Sequence, residues 1–475
     1  MRLFETILSI SNILTFFILV IPKIRAFPGA RYIALISLPI AAAQMMLEGP
    51  RWQMVPAYFF SALFFLTALP RGGKTLSEVR NHNHALRIAV PLAIGLGGLV
   101  MAGSTILPII FPISRFPHPT GLYEIGTLTY DWVDMSRQEI FTTDPSAHRE
   151  LMVQIWYPAK ANPSAPRAPY IQDSRTLVPL ARLLHLPDFI FDHLKYVTTN
   201  AIVSAPAADR GTSYPVLIFS HGRGGYRQHN TLEIEELVSH GYIVAAIDHT
   251  YAASGVVFPD GRLVSIDPRM LDRPYVDGKI SYLAQDVSFV INQLSMLNER
   301  DPNGILTGLL DIHQMGVFGL SLGGEITAKA CQQDLRIQAC LMMDVWMPVD
   351  VVRDGLQQPA LWISRDAGTM QLEGWSQADI EETLTSMRAV YNNLPGDGYF
   401  LLVPGMFHQD FSDASLLSPL TSWMGITGSI NSQRAHTIVN AYSLAFFDRY
   451  LKGRPSALLN DSERPFSEVI FEKRR

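Results

Sequence analysis

The sequence predicts an all-α membrane region of about four transmembrane helices, residues 1–112, followed by an α/β domain, residues 113–475, with a mostly parallel central sheet flanked by helices. Three observations predict it. Hydrophobic residues make up 48% of the 475 positions, and long apolar segments crowd the N-terminal end. Charge divides at the same place: residues 1–112 hold nine Lys/Arg, three Glu and no Asp, so the overall −5 leaves −11 on the remainder. Beyond residue 113, short apolar runs alternate with helix-like stretches.

The apolar segments are 3–21, 32–47, 52–69 and 88–111. Crossing the hydrocarbon core takes about 20 residues of helix, so the first and last qualify, the third is adequate and the second is short. "LEGPR" at 47–51 reads as a tight connection, and the middle pair is either two spans or a shallow hairpin. Both leave the C-terminal domain on the same side. Lys23, Arg25, Arg31, Arg71, Lys74, Arg80 and Arg87 fall on one side, against Arg2, Arg51 and Arg115 on the other. The larger basic set belongs in the cytoplasm, which puts residues 113–475 outside it. No small-residue cleavage site follows Ile21 and three more apolar segments do, so a cleaved signal peptide is not expected. Glu5, near the end of a span, is expected to reach the interface. The glycines of "GLGGLVMAG" read as close helix packing and "NHNH" at 81–84 as a solvated loop. The region reads as an anchor.

In the second part, "LMVQIWY", "PVLIFSHG", "YIVAAID", "MGVFGLS", "QACLMMD", "PALWIS" and "YFLLVPG" read as strands. Between them "TLEIEELVSHG", "ISYLAQDVSFVINQLSML" and "GGEITAKACQQ" read as helices. Such a pattern predicts a largely parallel sheet buried on both faces, with reactive residues in loops at the strand C-termini. Residues 161–210 break the rhythm, and read either as a core-packing helix pair or as a lid or interface insertion. An acidic domain without a basic patch argues against nucleic acid as a partner. Cys331 and Cys340 match no metal-ligand spacing; they could pair in an oxidising compartment or sit unpaired in the core. No metal site and no cofactor are expected.

In "GVFGLSLGGEI", residues 316–326, Ser321 lies between a strand and a helix, the setting a nucleophile elbow requires. Gly319 and Gly323 allow strand and helix to approach closely. A serine hydroxyl needs a base, and the base needs a third group to fix its tautomer. His408, in the loop after the last good strand, is preferred to His436, which lies in a helix-like run. Asp344 and Asp366 end neighbouring strands; either could be the acid, and topology leans to Asp366. Backbone N–H groups of Leu322 and, from the glycine loop "FSHGRGGYR", of Arg223 are the candidate oxyanion donors.

"GLYEIGTLTYDW", "LMVQIWYPA", "FSHGRGGYR", "LVSHGYIVAAIDH", "GLSLGG", "MMDVWMPV", "QPALWIS", "HQDFSD" and "NAYSLAFF" run in the order found in one family, and cover most of residues 119–452. The chain resembles the plasma-type platelet-activating factor acetylhydrolases and their bacterial relatives, which have the α/β-hydrolase fold; the N-terminal region lies outside the resemblance. The resemblance implies Ser321 as nucleophile, His408 as base and Asp344 as acid, the last against the lean to Asp366. It also implies Trp346 in the acyl pocket. Leu320 and Leu322 depart from the His and Phe usual around the nucleophile, and Arg223 replaces an apolar residue. The expected activity is hydrolysis of short or oxidised acyl esters of phospholipids or similar lipid-like esters, by an integral membrane protein whose catalytic domain is extracytoplasmic. Alternatives are a carboxylesterase or lactonase acting on soluble esters, and a membrane sensor whose hydrolase-like domain only binds ligand.

Overall fold

The computed structural model describes every residue except 26–28, 69–83, 163, 209–210, 212, 461 and 475. The chain divides into two compact units, Met1–Ile113 and Ser114–Arg475.

The first unit contains the helices Leu3–Val20, Ala30–Leu47, Val55–Ala68 and His84–Ile110. Two stretches, Leu3–Val20 and Ile88–Ile110, are long and apolar enough to cross a membrane; Tyr32–Leu47 and Trp52–Ala68 are shorter. The first helix is patterned inside out. It buries Glu5, Ser9, Asn12 and Thr15 and exposes Leu3, Ile10, Leu14 and Phe17. Asn12 Nδ2 donates to the Ala57 carbonyl at 2.9 Å, and Ser61 Oγ to Asn12 Oδ1 at 3.0 Å. Such interhelical bonds hold helices together where no hydrophobic force between them exists. Glu5 is buried against Arg51, whose Nε and Nη2 donate to its two oxygens at 2.7 and 2.8 Å. A carboxylate beside a planar guanidinium gains two charge-assisted bonds that open water would weaken. Arg71, Lys74, Arg80 and residues 81–83 of "NHNH" lie outside the described residues.

In the second unit the strands are β1 (Glu124–Gln138), β2 (His148–Ala159), β3 (Arg167–Pro169), β4 (Thr198–Val203), β5 (Tyr214–Ser220), β6 (Ile243–Asp248), β7 (Gly255–Val257), β8 (Leu263–Ser265), β9 (Leu310–Leu320), β10 (Ile337–Met343), β11 (Ala360–Ser364), β12 (Gly398–Leu402) and β13 (Ile470–Arg474). Apart from the ribbon β7–β8, they form one eleven-stranded sheet in the order β13-β12-β11-β10-β9-β5-β6-β2-β1-β4-β3. The stretch from β6 through β5, β9, β10 and β11 to β12 is parallel. Antiparallel β2 and β13 flank it.

Each of the seven apolar runs read as strands lies in this sheet, and the reason is coverage on both faces. In β5, Val216 and Ile218 enter the core under the helices Ile280–Glu299 and Leu322–Gln333. Leu217 and Phe219 point the other way, into the core under Thr231–Ser239 and Ser432–Leu451. The strands not anticipated, β1, β3, β4 and β13, lie in the outer parts of the sheet. Residues 161–210 supply β3 and β4, with one short helix, Val178–Leu183, between 3-10 turns. Leu184, Leu186 and Phe189 are exposed there; Arg210 lies outside the described residues.

Cys331, in the helix that follows Ser321, and Cys340, in the strand that leads to Asp344, form a disulfide across nine residues. Closing so short a loop removes unfolded-chain entropy worth about 2–3 kcal/mol. Replacing both by alanine is therefore expected to lower the urea midpoint by a corresponding amount. An unchanged midpoint would contradict the stabilising role.

Candidate active site

Ser321 sits where β9 ends and the helix Leu322–Gln333 begins, with φ +56° and ψ −124°. A side chain rarely adopts such a backbone, and it persists only where the surroundings enforce it. Two glycines make the turn possible. A Cβ on Gly319 would collide with the Gly323 carbonyl, and one on Gly323 with the Ser220 carbonyl. The Ser321 N–H donates to the Met343 carbonyl at 2.9 Å, drawing the turn onto the end of β10. The next residue along that strand is Asp344, itself at φ +42°.

His408 opens a short 3-10 turn, His408–Phe411, beyond β12. Its Nδ1 lies 2.5 Å from Asp344 Oδ2. Ser364 Oγ donates to Asp344 Oδ1 at 3.0 Å, and Arg365 Nε lies 3.0 Å from Oδ2. Burial by itself would raise the Asp344 carboxyl, but the Arg365 guanidinium and the His408 bond outweigh it and hold it at about 2. The ionised carboxylate thus keeps the proton on Nδ1 and leaves Nε2 as an acceptor. Arg365 is held in turn by Glu373 and by the Trp375 ring, 4.4 Å from its guanidinium carbon. Among the described residues no hydrogen bond joins Ser321 Oγ to His408 Nε2; in free enzymes that bond is commonly long and tightens with substrate.

The competing residues are engaged elsewhere. Asp366 caps the helix Ala367–Leu372, accepting from Thr369 N at 3.1 Å and Thr369 Oγ1 at 2.6 Å. His436 is buried in the helix Ser432–Leu451, its Nε2 2.9 Å from Ser415 Oγ. The structure therefore brings His408 to Asp344 and leaves Asp366 and His436 apart from them.

The glycine loop follows β5 and touches the serine turn: a Cβ on Gly222 would lie 3.4 Å from Ser321 Cβ. The Gly222 carbonyl lies 2.7 Å from His221 Nδ1 and accepts from Gly225 N at 2.9 Å. A trans peptide directs its N–H opposite to its carbonyl, so the Arg223 N–H points away from these partners. Among the described residues, neither that N–H nor the Leu322 N–H has an acceptor within the protein. Two such donors beside a serine can stabilise a negative oxygen developing on a bound carbonyl. The Trp346 ring lies 4.0 Å from the Arg273 guanidinium carbon and 6.3 Å from Trp375.

Sequence reasoning missed the polar support under this loop. His221 Nε2 accepts from the His249 N–H at 3.2 Å, which puts the His221 proton on Nδ1, facing the Gly222 carbonyl. Burial holds His221 well below its usual range, and neutral. His249 Nε2 meets Ser220 Oγ at 3.0 Å and Nδ1 meets Asp286 Oδ2 at 2.9 Å. Arg149 clamps both Asp286 oxygens at 2.6 and 3.0 Å. Ser220, His249 and Asp286 repeat the residue types of the site, but each is at most 1% exposed, out of reach of a substrate. One signal was available: Asp286 interrupts the apolar face of "ISYLAQDVSFVINQL".

A strained serine, an oriented imidazole and paired backbone donors at the C-terminal edge of a mostly parallel sheet define an esterase of the α/β-hydrolase class. A ferulic acid esterase from Streptomyces cinnamoneus superposes with a TM-score of 0.62 at 30% identity, covering 76% of this chain and 99% of that one. The chain belongs to the family of platelet-activating factor acetylhydrolase, isoform II, whose sequence model matches residues 109–260 and 293–457. With that family it is a hydrolase of carboxylic esters. It is 25% identical to the platelet-activating factor acetylhydrolase of Cavia porcellus over 331 residues, which is 63% of this chain and 72% of that protein. To the platelet-activating factor acetylhydrolase of Canis lupus familiaris it is 23% identical over 371 residues, 71% and 78% of the two chains.

Replacing Arg149 by methionine would leave the Asp286 charge buried without its main partner. The expected loss of stability is about 3–5 kcal/mol, read by urea denaturation. A loss below about 1 kcal/mol would mean that the network does not carry buried charge.

Proposed function

We propose that this protein is a membrane-anchored serine esterase that cleaves short or oxidised acyl esters of phospholipids or similar lipid-like esters. Ser321 Oγ attacks the ester carbonyl as His408 Nε2 takes its proton, and Asp344 holds the imidazole and stabilises its charged form. The N–H groups of Leu322 and Arg223 receive the oxyanion. His408 then protonates the leaving alcohol, and water, activated by the same imidazole, releases the acid from the acyl-enzyme. Trp346 lines the space for the acyl group. The observation that carries the reading is the Asp344–His408 pair at the end of the strand against which the strained Ser321 turn is bonded.

Four apolar helices as an anchor, with the catalytic domain outside the cytoplasm, complete the proposal. The inside-out first helix supports lipid contact. The disulfide supports an oxidising compartment, where such bonds persist. A tether raises the local concentration of membrane esters at the site. A second reading, a carboxylesterase acting on soluble esters, is favoured by the 30% identity to the ferulic acid esterase. Turnover of micellar against monomeric substrate separates the two.

In acid-release assays on p-nitrophenyl butyrate, Ser321→Ala is expected to abolish activity. Asp344→Asn should lower kcat by about ten-thousand-fold, as loss of a triad acid does. Asp366→Asn should cost less than about tenfold, a helix cap being at stake. A large loss only in Asp366→Asn would overturn the assignment of the acid.

A further inference from the structure

The side chain of Arg223, as distinct from its main-chain donor, has no role in the reading above. It is a half-buried guanidinium, and among the described residues no carboxylate lies within ion-pair distance of it. Its hydrogen bond within the protein is a long one, Nη1 to the Leu271 carbonyl at 3.4 Å, and its Nε is buried without a partner. Arg273, the neighbouring cation, differs: its guanidinium is paired with Glu382, Nη1 donating at 2.8 Å, and stacked on Trp346.

The same corner holds two more unsatisfied polar atoms. Glu325 lies one helical turn beyond Ser321, its N–H donating to the Ser321 carbonyl at 3.1 Å. It is 3% exposed and its carboxyl faces the Trp346 indole N–H, but neither Glu325 Oε2 nor Trp346 Nε1 completes a close hydrogen bond. Buried polar atoms are ordinarily paired. Three left short of a close hydrogen bond, beside a guanidinium with no ion-pair partner and next to the nucleophile, mark a place built for a polar group that arrives with the substrate. Guanidinium, indole N–H and a protonated carboxyl are all donors, and what they share as a complement is an oxyanion.

Resting on the esterase reading, we propose that the Arg223 side chain recognises an anionic group on the substrate, so that the preferred esters carry a phosphate or a carboxylate close to the scissile carbonyl. The residue that gives the reacting oxygen its main-chain N–H thereby also fixes the ester through its charge. The phosphate would come from the alcohol side of the ester, the carboxylate from the acyl side.

Glu325 makes this preference pH-dependent. Burial and the exposed Asp277 raise its carboxyl, while Arg223, Arg273 and the Trp346 indole N–H oppose them, and the outcome is a value of about 8. Below that pH Glu325 is neutral and leaves the Arg223 charge free for a ligand; above it a carboxylate stands beside the guanidinium and opposes an incoming anion.

The test compares kcat/KM, by pH-stat on the full-length protein in detergent, within two matched pairs: a short-chain 1-alkyl-2-acetylglycerol and its 3-phosphate, and methyl butyrate and monomethyl glutarate. The wild type is expected to favour the anionic member of at least one pair by about tenfold or more, the scale of one charge-assisted contact. The pair that responds identifies the source of the anion. Arg223→Leu should bring that ratio close to one, and Arg223→Lys should keep most of it. Because each ratio is taken within one variant, any loss through the main-chain donor cancels. The preference should also fall as pH rises through 8, and Glu325→Gln should flatten that fall. Equal rates on both members of both pairs in the wild type, or a ratio that Arg223→Leu leaves unchanged, would overturn the inference while the esterase reading stands. Failure to hydrolyse any of the four esters would sink the esterase reading and the inference with it.

Discussion

The site depends on how closely the helix Leu322–Gln333 approaches the ends of β5 and β9. That approach is limited by two positions, Gly319 and Gly323, where any side chain would run into a carbonyl of the opposing element. With the gap closed, Ser321 has no room for an ordinary backbone and is driven to positive φ. The strain projects the side chain away from the sheet, and the packing on both faces of the sheet keeps it there. The Ser321 N–H bond to Met343 then ties the turn to the strand that carries Asp344. The disulfide between Cys331 and Cys340 closes the same helix onto the same strand from its far end.

Around this contact the molecule arranges two lines of buried polar groups. Behind Asp344 lie Ser364, Arg365 and Glu373, which keep the carboxylate charged and aimed at His408. Behind the glycine loop lie His221, His249, Ser220, Asp286 and Arg149, which fix the direction of one peptide plane. Both lines end in an arginine held by carboxylates, as buried charge requires. The second line resembles a catalytic triad in composition and differs from one in burial.

Much of this was legible in the amino-acid order. The parallel strands announce themselves because both their faces are covered, and the serine turn because glycines must flank it. The outer strands β1, β3, β4 and β13 were missed because such strands are short or half solvated and lack a continuous apolar run. Topology leaned to Asp366, the wrong one of two carboxylates that both end adjacent parallel strands, because it cannot see which of them meets the imidazole. A finer signal lay in "DAGT": an Asp followed three residues later by Thr369 at the start of a helix is a cap. The His221–His249–Asp286 line was invisible because its members come from three elements far apart in the chain and meet only through tertiary packing. The Glu5–Arg51 pair went unread for the same reason, since the two lie 46 residues apart.

Ser321 and Ser220 offer the most direct test. Ser321 stands on the strained turn and Ser220 is sealed within the sheet. Labelling the full-length protein with a fluorophosphonate and mapping the adduct by tandem mass spectrometry distinguishes them. A single adduct on Ser321, absent from Ser321→Ala and strongly reduced by His408→Ala, is the predicted result. An adduct on Ser220, or none on Ser321 in a preparation that releases acid from an ester, would contradict the account.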